Sequence, residues 1–273
     1  MKEKKIVVGI TDALTAYLCS VNMRVSYVWA SSLVMSAMLG LKDNGVVNLA
    51  RFLSLIKAIV KGAQCPVILD FDIGGRTIIE FQKNLKLLSR LGLGGVCIED
   101  EGWPKINAML TDQTRKLAKL SLMTKKIQFA HKVLGAKTFI IIARTHSLIN
   151  GESNAMLQKR ISAYEDAGAS AICIHYTGNE WSAYRATING LIIKKPLFVI
   201  LSKQNIYPTE IKQMHQCEYI LFPNQIYRTM LKSVTVFTQT QKTTPVLNFK
   251  KADLITTNEL FETINAITKP HKK

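Results

Sequence analysis

Short runs of β-branched and other apolar residues recur along this chain, and most are followed by a stretch whose apolar positions return every three or four residues. A continuous apolar run of strand length reads as a parallel strand buried on both faces, and the longer periodic stretch as an amphipathic helix laid against it. The strand-like runs are residues 5–12, 25–31, 66–73, 95–101, 138–145, 171–177, 196–201 and 218–224, eight in all. Helical periodicity is plainest at 47–61, 76–91, 112–134, 154–167 and 207–213. Parallel neighbours need right-handed crossovers of this length, so the alternation predicts an α/β fold, and eight units predict a closed (β/α)8 TIM barrel. A closing helix is expected from Ile226 to about Thr240, which makes residues 1–242 the barrel domain. Residues 243–273 then form a basic C-terminal tail with one further helix at 257–267.

Composition narrows the class more than the chemistry. With 48% hydrophobic and 20% charged residues among 273, the chain can bury a core and is neither disordered nor fibrous. Lys and Arg number 36 against 19 Asp and Glu, a formal net charge of +17. That field draws polyanions, anionic lipids and small acidic substrates alike, or reflects no more than a solvated lysine-rich surface. No arginine-rich block or aromatic-interleaved basic run accompanies it, so nucleic acid is not expected as a partner. Cys19, Cys65, Cys97, Cys173 and Cys217 lack CxxC pairing and several sit in apolar runs, which predicts buried free thiols in a reducing, cytoplasmic setting and no structural zinc. Lys2, Lys4 and Lys5 ahead of residues 6–10 imitate a signal peptide, but Asp12 interrupts the apolar stretch, so the start reads as mature protein. No apolar run approaches the ~20 residues that cross a bilayer, and no membrane span is expected.

The polar residues gather at the C-terminal ends of the strands, where barrels of this kind place their chemistry. The third strand ends in Asp70 and Asp72, the fourth in Glu99, Asp100 and Glu101, the fifth in Arg144 and His146, and the sixth in His175. Asp70 and Asp72, two apart on a strand, share a face and would meet Glu99 from the next strand. A divalent cation relieves the repulsion of three such carboxylates, and an all-oxygen set suits Mg2+ or Mn2+ better than zinc. The same carboxylates can instead cap the following helices or pair with Arg76 and Lys105. Arg144 and His175 offer a cationic, hydrogen-bonding wall for phosphoryl or carboxylate oxygens. Pro104, Lys105 and Asn107 fall in the segment after the fourth strand, which is either a lid over a bound ligand or an ordinary βα loop.

These residues, in this order, resemble the phosphoenolpyruvate mutase/isocitrate lyase superfamily, most closely its mutase branch, over residues 9–233. The resemblance rests on WASSLVMSAMLGLKD at 29–43, LDFD at 69–72 and IEDEGWPKIN at 98–107, supported by IAR at 142–144, DAGASAICIH at 166–175 and NQIYR at 224–228. It implies a barrel whose last helix is exchanged with a neighbouring subunit, giving a homodimer or homotetramer, and it implies Mg2+ with a phosphorylated or phosphonate 2-oxo acid as ligand. By position, Asp70 would ligate the metal directly, Asp72 and Glu99 would hold it partly through water, and Asp43 would lie beside both metal and transferred group. Ser31 and Ser32 would offer backbone amides to the substrate carboxylate while Trp29 packs against the ligand. Arg144, His175 and Asn107 would contact the phosphoryl oxygens, and Lys105 would ride on a gating loop.

The implied reaction interconverts phosphoenolpyruvate and phosphonopyruvate, forming the C–P bond of phosphonate biosynthesis, with a phosphonopyruvate decarboxylase as a downstream partner. The lyases of the superfamily carry a catalytic Cys within a K-K-C-G-H pattern in the loop after the fourth strand, and this loop has none, which speaks against cleavage of isocitrate-type substrates. A phosphonopyruvate hydrolase, or a lyase or decarboxylase on a 2-oxo acid such as oxaloacetate, is the alternative, and Asn107 favours the mutase. A non-catalytic polyanion-binding barrel is a third reading that rests on charge alone. The chain departs from the family pattern at IGGR, residues 73–76, in place of T-G-Y-G, at Ala108 in place of Ser, and at His146 in place of an acidic residue.

Overall fold

The computed structural model describes residues 3–45, 49–106, 116–135, 138–177, 180–201, 213–240 and 257–268. Eight strands follow one another in parallel around a closed barrel, and the eighth pairs with the first. They are β1 (Lys5–Ile10), β2 (Val25–Ala30), β3 (Val67–Asp70), β4 (Gly95–Glu99), β5 (Ile140–Thr145), β6 (Ala171–Ile174), β7 (Leu197–Ile200) and β8 (Cys217–Phe222). The helices are α1 (Ala13–Asn22), α2 (Ser32–Met38), α3 (Leu53–Gly62), α4 (Ile78–Leu88), α5 (Leu120–Leu134), α6 (Asn154–Asp166), α7 (Trp181–Gly190), α8 (Gln225–Thr240) and α9 (Thr257–Thr268).

Two apolar clusters explain why the strands read as unbroken apolar runs. Val7, Trp29, Ile68, Cys97, Ile142, Cys173, Phe198 and Leu221 fill the barrel interior. Their chain neighbours, among them Val8, Leu69, Val96, Ile98, Ile141, Ala143 and Ile172, belong to the layer packed under the helices. Side chains alternate along a strand, so both faces of each strand are apolar, as a parallel sheet covered on both sides requires. Where β1 passes the chain beyond β8 the backbones approach closely, and a Cβ on Gly9 would lie 1.8 Å from the Pro223 carbonyl oxygen. Asp12, Thr77 and Ser153 cap α1, α4 and α6 by accepting from the backbone N–H groups of Thr15, Glu80 and Met156.

All eight predicted strands are present, each shorter than its apolar run. The third ends at Asp70, so Asp72 is not a strand residue: it turns the chain with φ of 50°, and Gly74 and Gly75 follow at 68° and 151°. The helix expected at 47–61 is a 3-10 turn at Leu49–Arg51 followed by α3, with 47 and 48 outside the described residues. The one expected at 112–134 starts only at Leu120, because the preceding chain runs as an extended segment against Glu101, bridging it through Leu117. The helix expected at 207–213 lies outside the described residues apart from Gln213. The closing helix is present as α8, yet its residues from Arg228 to Thr238 are exposed along their whole length. The tail helix is present as α9, which packs against α1. All five cysteines are free thiols, four of them buried. Among the described residues no helix is long and apolar enough to cross a membrane.

Candidate active site

The barrel register delivers four polar side chains to one place. Ile68, Cys97, Ile142 and Cys173 point into the interior, so the residues two further on, Asp70, Glu99, Arg144 and His175, point inward at the C-terminal mouth. Arg144 Nη1 pairs with Glu99 Oε1 and lies 3.5 Å from Asp70 Oδ1, and Nη2 lies 2.8 Å from His175 Nδ1. A guanidinium only donates, so His175 Nδ1 accepts and the neutral ring carries its proton on Nε2. Ser32, at the start of α2, donates its hydroxyl to Asp70 Oδ2 at 3.3 Å. These groups line one cavity with Trp29, Ser31, Asp43, Lys105, His146 and Asn224. The free space there is about 50 Å³, room for a cation with a water or two at ~30 Å³ each.

Lys105 fills the rest. Its ammonium donates to Asp43 Oδ1 at 2.7 Å, to Asp72 Oδ1 at 2.5 Å and to Ser32 Oγ at 3.4 Å, joining three loops above the strand ends. Of the two uses foreseen for these carboxylates, pairing with Lys105 is therefore the one seen at Asp72, while Arg76 pairs with Glu80 instead. Burial opposes the charge on Lys105, yet Asp72, Glu99, Asp43 and Asp70 together hold its pKa well above the usual lysine range. Burial likewise opposes ionisation of Glu99, but Arg144, then His146 and Lys105, outweigh it and keep the carboxyl down at about 2. Asp70 and Asp72 go the other way. Burial pushes Asp70 up to about 6 against the pull of Arg144, and pushes Asp72 up to about 8 against that of Lys105, with neighbouring carboxylates adding to both. One ammonium and one guanidinium do not neutralise this many buried carboxylates, and the surplus negative charge takes up protons.

Asp70, Asp72 and Glu99 each bring an oxygen to within 4.8 Å of the others, and buried Glu99 Oε2 has no hydrogen-bond partner among the described residues. A hard divalent cation with oxygen ligands fits this set. Asp72 reaches the group from a turn rather than from the strand face.

Asp100 does not take part. It faces the helix layer, where it accepts from Thr145 Oγ1 at 2.7 Å, from the His146 N–H at 2.9 Å and from the Tyr164 hydroxyl at 2.7 Å. Arg160 stands 3.6 Å away and is itself held by Glu152 through two bonds of 2.7 and 2.8 Å. This buried network locks the ends of β4 and β5 together. Sequence reasoning did not single out Thr145, Glu152, Arg160 or Tyr164; the signal for Asp100 was its odd position beside Glu99 on a strand. Asn107 lies outside the described residues.

The family model for phosphoenolpyruvate phosphomutase matches residues 2–241. Phosphoenolpyruvate phosphomutase of Tetrahymena pyriformis is 25% identical over 207 residues, covering 76% of this chain and 69% of the relative. The crystal structure of phosphoenolpyruvate phosphomutase from Streptomyces platensis subsp. rosaceus superposes with a TM-score of 0.89 at 20% identity, covering 97% of this chain and 92% of that one. A phosphonopyruvate hydrolase in complex with oxalate and Mg2+ superposes with a TM-score of 0.86 at 21% identity, covering 97% and 91%. Barrel, strand-end carboxylates and the arginine–histidine wall thus coincide with a match along nearly the whole barrel, and the chain belongs to the phosphoenolpyruvate phosphomutase family.

Proposed function

We propose that this protein is a Mg2+-dependent phosphoenolpyruvate mutase, an isomerase that interconverts phosphoenolpyruvate and phosphonopyruvate. The observation that carries the reading is the pairing, at one cavity in the barrel mouth, of an acidic half made by Asp70 and Glu99, with Asp72 brought within 4.8 Å of both, and a cationic half made by Arg144, His175 and Lys105. A phosphoryl group passing from oxygen to carbon spreads its charge over three equatorial oxygens, so fixed cations and donors do most of the work. Mg2+, or Mn2+, held by the three carboxylates supplies positive charge to the oxygens of the pyruvate half.

The chain's own groups do the rest. Arg144 Nε is buried without a partner among the described residues, a donor left for an anionic oxygen. His175 presents its Nε2 proton to the same wall, and the Arg144 bond to Nδ1 holds that tautomer. Trp29 lines the cavity, 1% exposed, its indole N–H also without a partner among the described residues. Ser31 and Ser32 open α2 beside it, their amides set toward a substrate carboxylate. Asp43 stays beside the transferred group through its bond to Lys105. With its ammonium in place, Lys105 is 5% exposed and shuts out the water that would turn transfer into hydrolysis. The isomerisation balances without a co-reactant: the O–P bond of the enol phosphate breaks, the enol oxygen stays on carbon as the ketone, and the methylene carbon takes the phosphoryl group in the new C–P bond.

The free thiols accord with a reducing cytoplasm. The exposed apolar side chains of α8 accord with exchange of this helix between subunits of a dimer or tetramer, the tail after residue 242 being a separate element. A decarboxylase that consumes phosphonopyruvate would be the pathway partner.

A phosphorus NMR time course with phosphonopyruvate and Mg2+, run beside Asp43→Ala, tests the reading. Growth of the phosphoenolpyruvate signal, lost in the variant, is the expected result. Inorganic phosphate as the first product would assign the chain to hydrolysis instead. An unchanged spectrum would overturn both and leave cleavage of a non-phosphorylated 2-oxo acid.

A further inference from the structure

A second set of ligand atoms converges beside the three carboxylates and shares Glu99 with them, while Glu101 and His146 are not used by the reaction above. Glu99, Glu101 and His146 each offer one ligand atom, all within 4.8 Å of one another. The three residues are 2%, 3% and 1% exposed. Glu99 Oε2, Glu101 Oε2 and both ring nitrogens of His146 are buried without a hydrogen-bond partner among the described residues. His146 Nδ1 stands 3.5 Å from Glu101 Oε2 and Nε2 stands 3.8 Å from Glu99 Oε1, both beyond hydrogen-bonding distance. Each carboxylate has its other oxygen engaged: Glu101 Oε1 accepts the Ile106 N–H at 2.9 Å, and Glu99 Oε1 pairs with Arg144. Each residue thus keeps a carboxylate oxygen or ring nitrogen without a hydrogen-bond partner among the described residues. Four unsatisfied buried polar atoms in one cluster are costly, and native interiors almost always satisfy such atoms with a partner, a water or an ion.

We propose that Glu99, Glu101 and His146 bind a divalent transition-metal ion. One imidazole nitrogen with two carboxylates suits Mn2+, Fe2+, Co2+ or Zn2+, whereas Mg2+ takes oxygen ligands. The set is held in place from behind. The His146 N–H donates to Asp100 Oδ1 at 2.9 Å, and its ring meets the His175 ring edge-on with centroids 5.5 Å apart. Glu99 belongs to both carboxylate groups, so an ion here would be its neighbour's partner across a shared carboxylate. It would add positive charge beside Arg144 and His175, on the side where anionic oxygens are held. Glu99 is also the one point at which this inference leans on the proposed function.

The test uses the full chain stripped with a chelator, then given one equivalent of Mn2+ in an excess of Mg2+ that fills the all-oxygen site. Pulsed electron paramagnetic resonance reads whether the bound Mn2+ couples to an imidazole nitrogen. The expected result is Mn2+ retained against Mg2+ with that nitrogen coupling. His146→Gln should abolish the coupling and weaken Mn2+ retention about tenfold or more, the size seen when a site's supporting groups are lost. Glu101→Gln should weaken retention likewise while keeping the coupling. Mn2+ bound without nitrogen coupling in the wild-type protein, or equal retention by His146→Gln, would overturn the proposal. The wild-type spectrum decides even where a variant fails to fold. Asp70→Asn separates the two readings, because it removes Mg2+-dependent turnover and leaves the nitrogen-coupled Mn2+ in place.

Discussion

Asp70 and Asp72 carry raised pKa values, about 6 and about 8, because burial and crowding disfavour their charged forms. A divalent cation binds the ionised carboxylates, so below those values a proton must leave for each ligand that binds. The sign follows: affinity for Mg2+ weakens as pH falls from about 8 toward 6, by up to tenfold per pH unit for each proton displaced. Calorimetric titration at pH 6, 7 and 8 in buffers of different ionisation enthalpy checks both the trend and the proton release. An affinity independent of pH over that window would mean that both carboxyls are already ionised without metal. At this scale the sequence was informative about residue type and position but not about side-chain geometry. Asp70, Glu99, Arg144 and His175 were legible because strand alternation alone carries them to the barrel mouth. Asp72 was misplaced on the strand because LDFD reads as alternation, whereas Gly74 and Gly75 allow the chain to turn at once. The buried set of Glu99, Glu101 and His146 was not legible as a set, since placing residues at strand ends does not give the distances between their side chains.

Elements were legible in kind and less so in extent. β-branched runs stand out because parallel strands are apolar on both faces, and their polar ends extend the pattern past the last ladder bond. The start of α5 was misjudged because pairing of residues 116–118 with 100–102 captures backbone groups that periodicity assigned to the helix, as in the bond from the Ala118 N–H to the Asp100 carbonyl at 2.7 Å. The Asp100 network ties β4, β5 and α6 together, and its worth is measurable. Tyr164→Phe removes the 2.7 Å bond to Asp100 inside a buried cluster, which should cost about 1–3 kcal/mol of stability. Urea denaturation reads this as a lower midpoint with an unchanged slope. A midpoint equal to wild type would show that Arg160, Thr145 and the His146 N–H satisfy Asp100 by themselves.

For the molecule as a whole, α8 is the element that the chain alone does not explain. Its amphipathic pattern predicted a helix closing the barrel, but a pattern does not say what covers the apolar face, and here Met230, Leu231, Val234 and Val236 are exposed, Val234 by 57%. Contiguous apolar surface of this kind marks an interface. If subunits exchange this helix, light scattering should give a multiple of the 30.6 kDa chain mass, and Val234→Asp should shift the protein toward the monomer. A wild-type monomer would assign the exposed face to some other cover.

The three bonds of Lys105 bear on what the proposed cation would displace. A site crowded with buried carboxylates would ordinarily depend on a cation to hold together, as small zinc domains do when they unfold on chelation. Here the chain supplies a counter-ion of its own, so metal capture is an exchange of one positive charge for another rather than the filling of a void. Chelation should therefore stop turnover while shifting the melting temperature by only a few degrees, and Lys105→Met should make the same melting temperature strongly metal-dependent. The same exchange gives loading a mechanical consequence: a metal that takes Asp72 from the ammonium loosens one of the ties between the loop at Asp43 and the segment bearing Lys105.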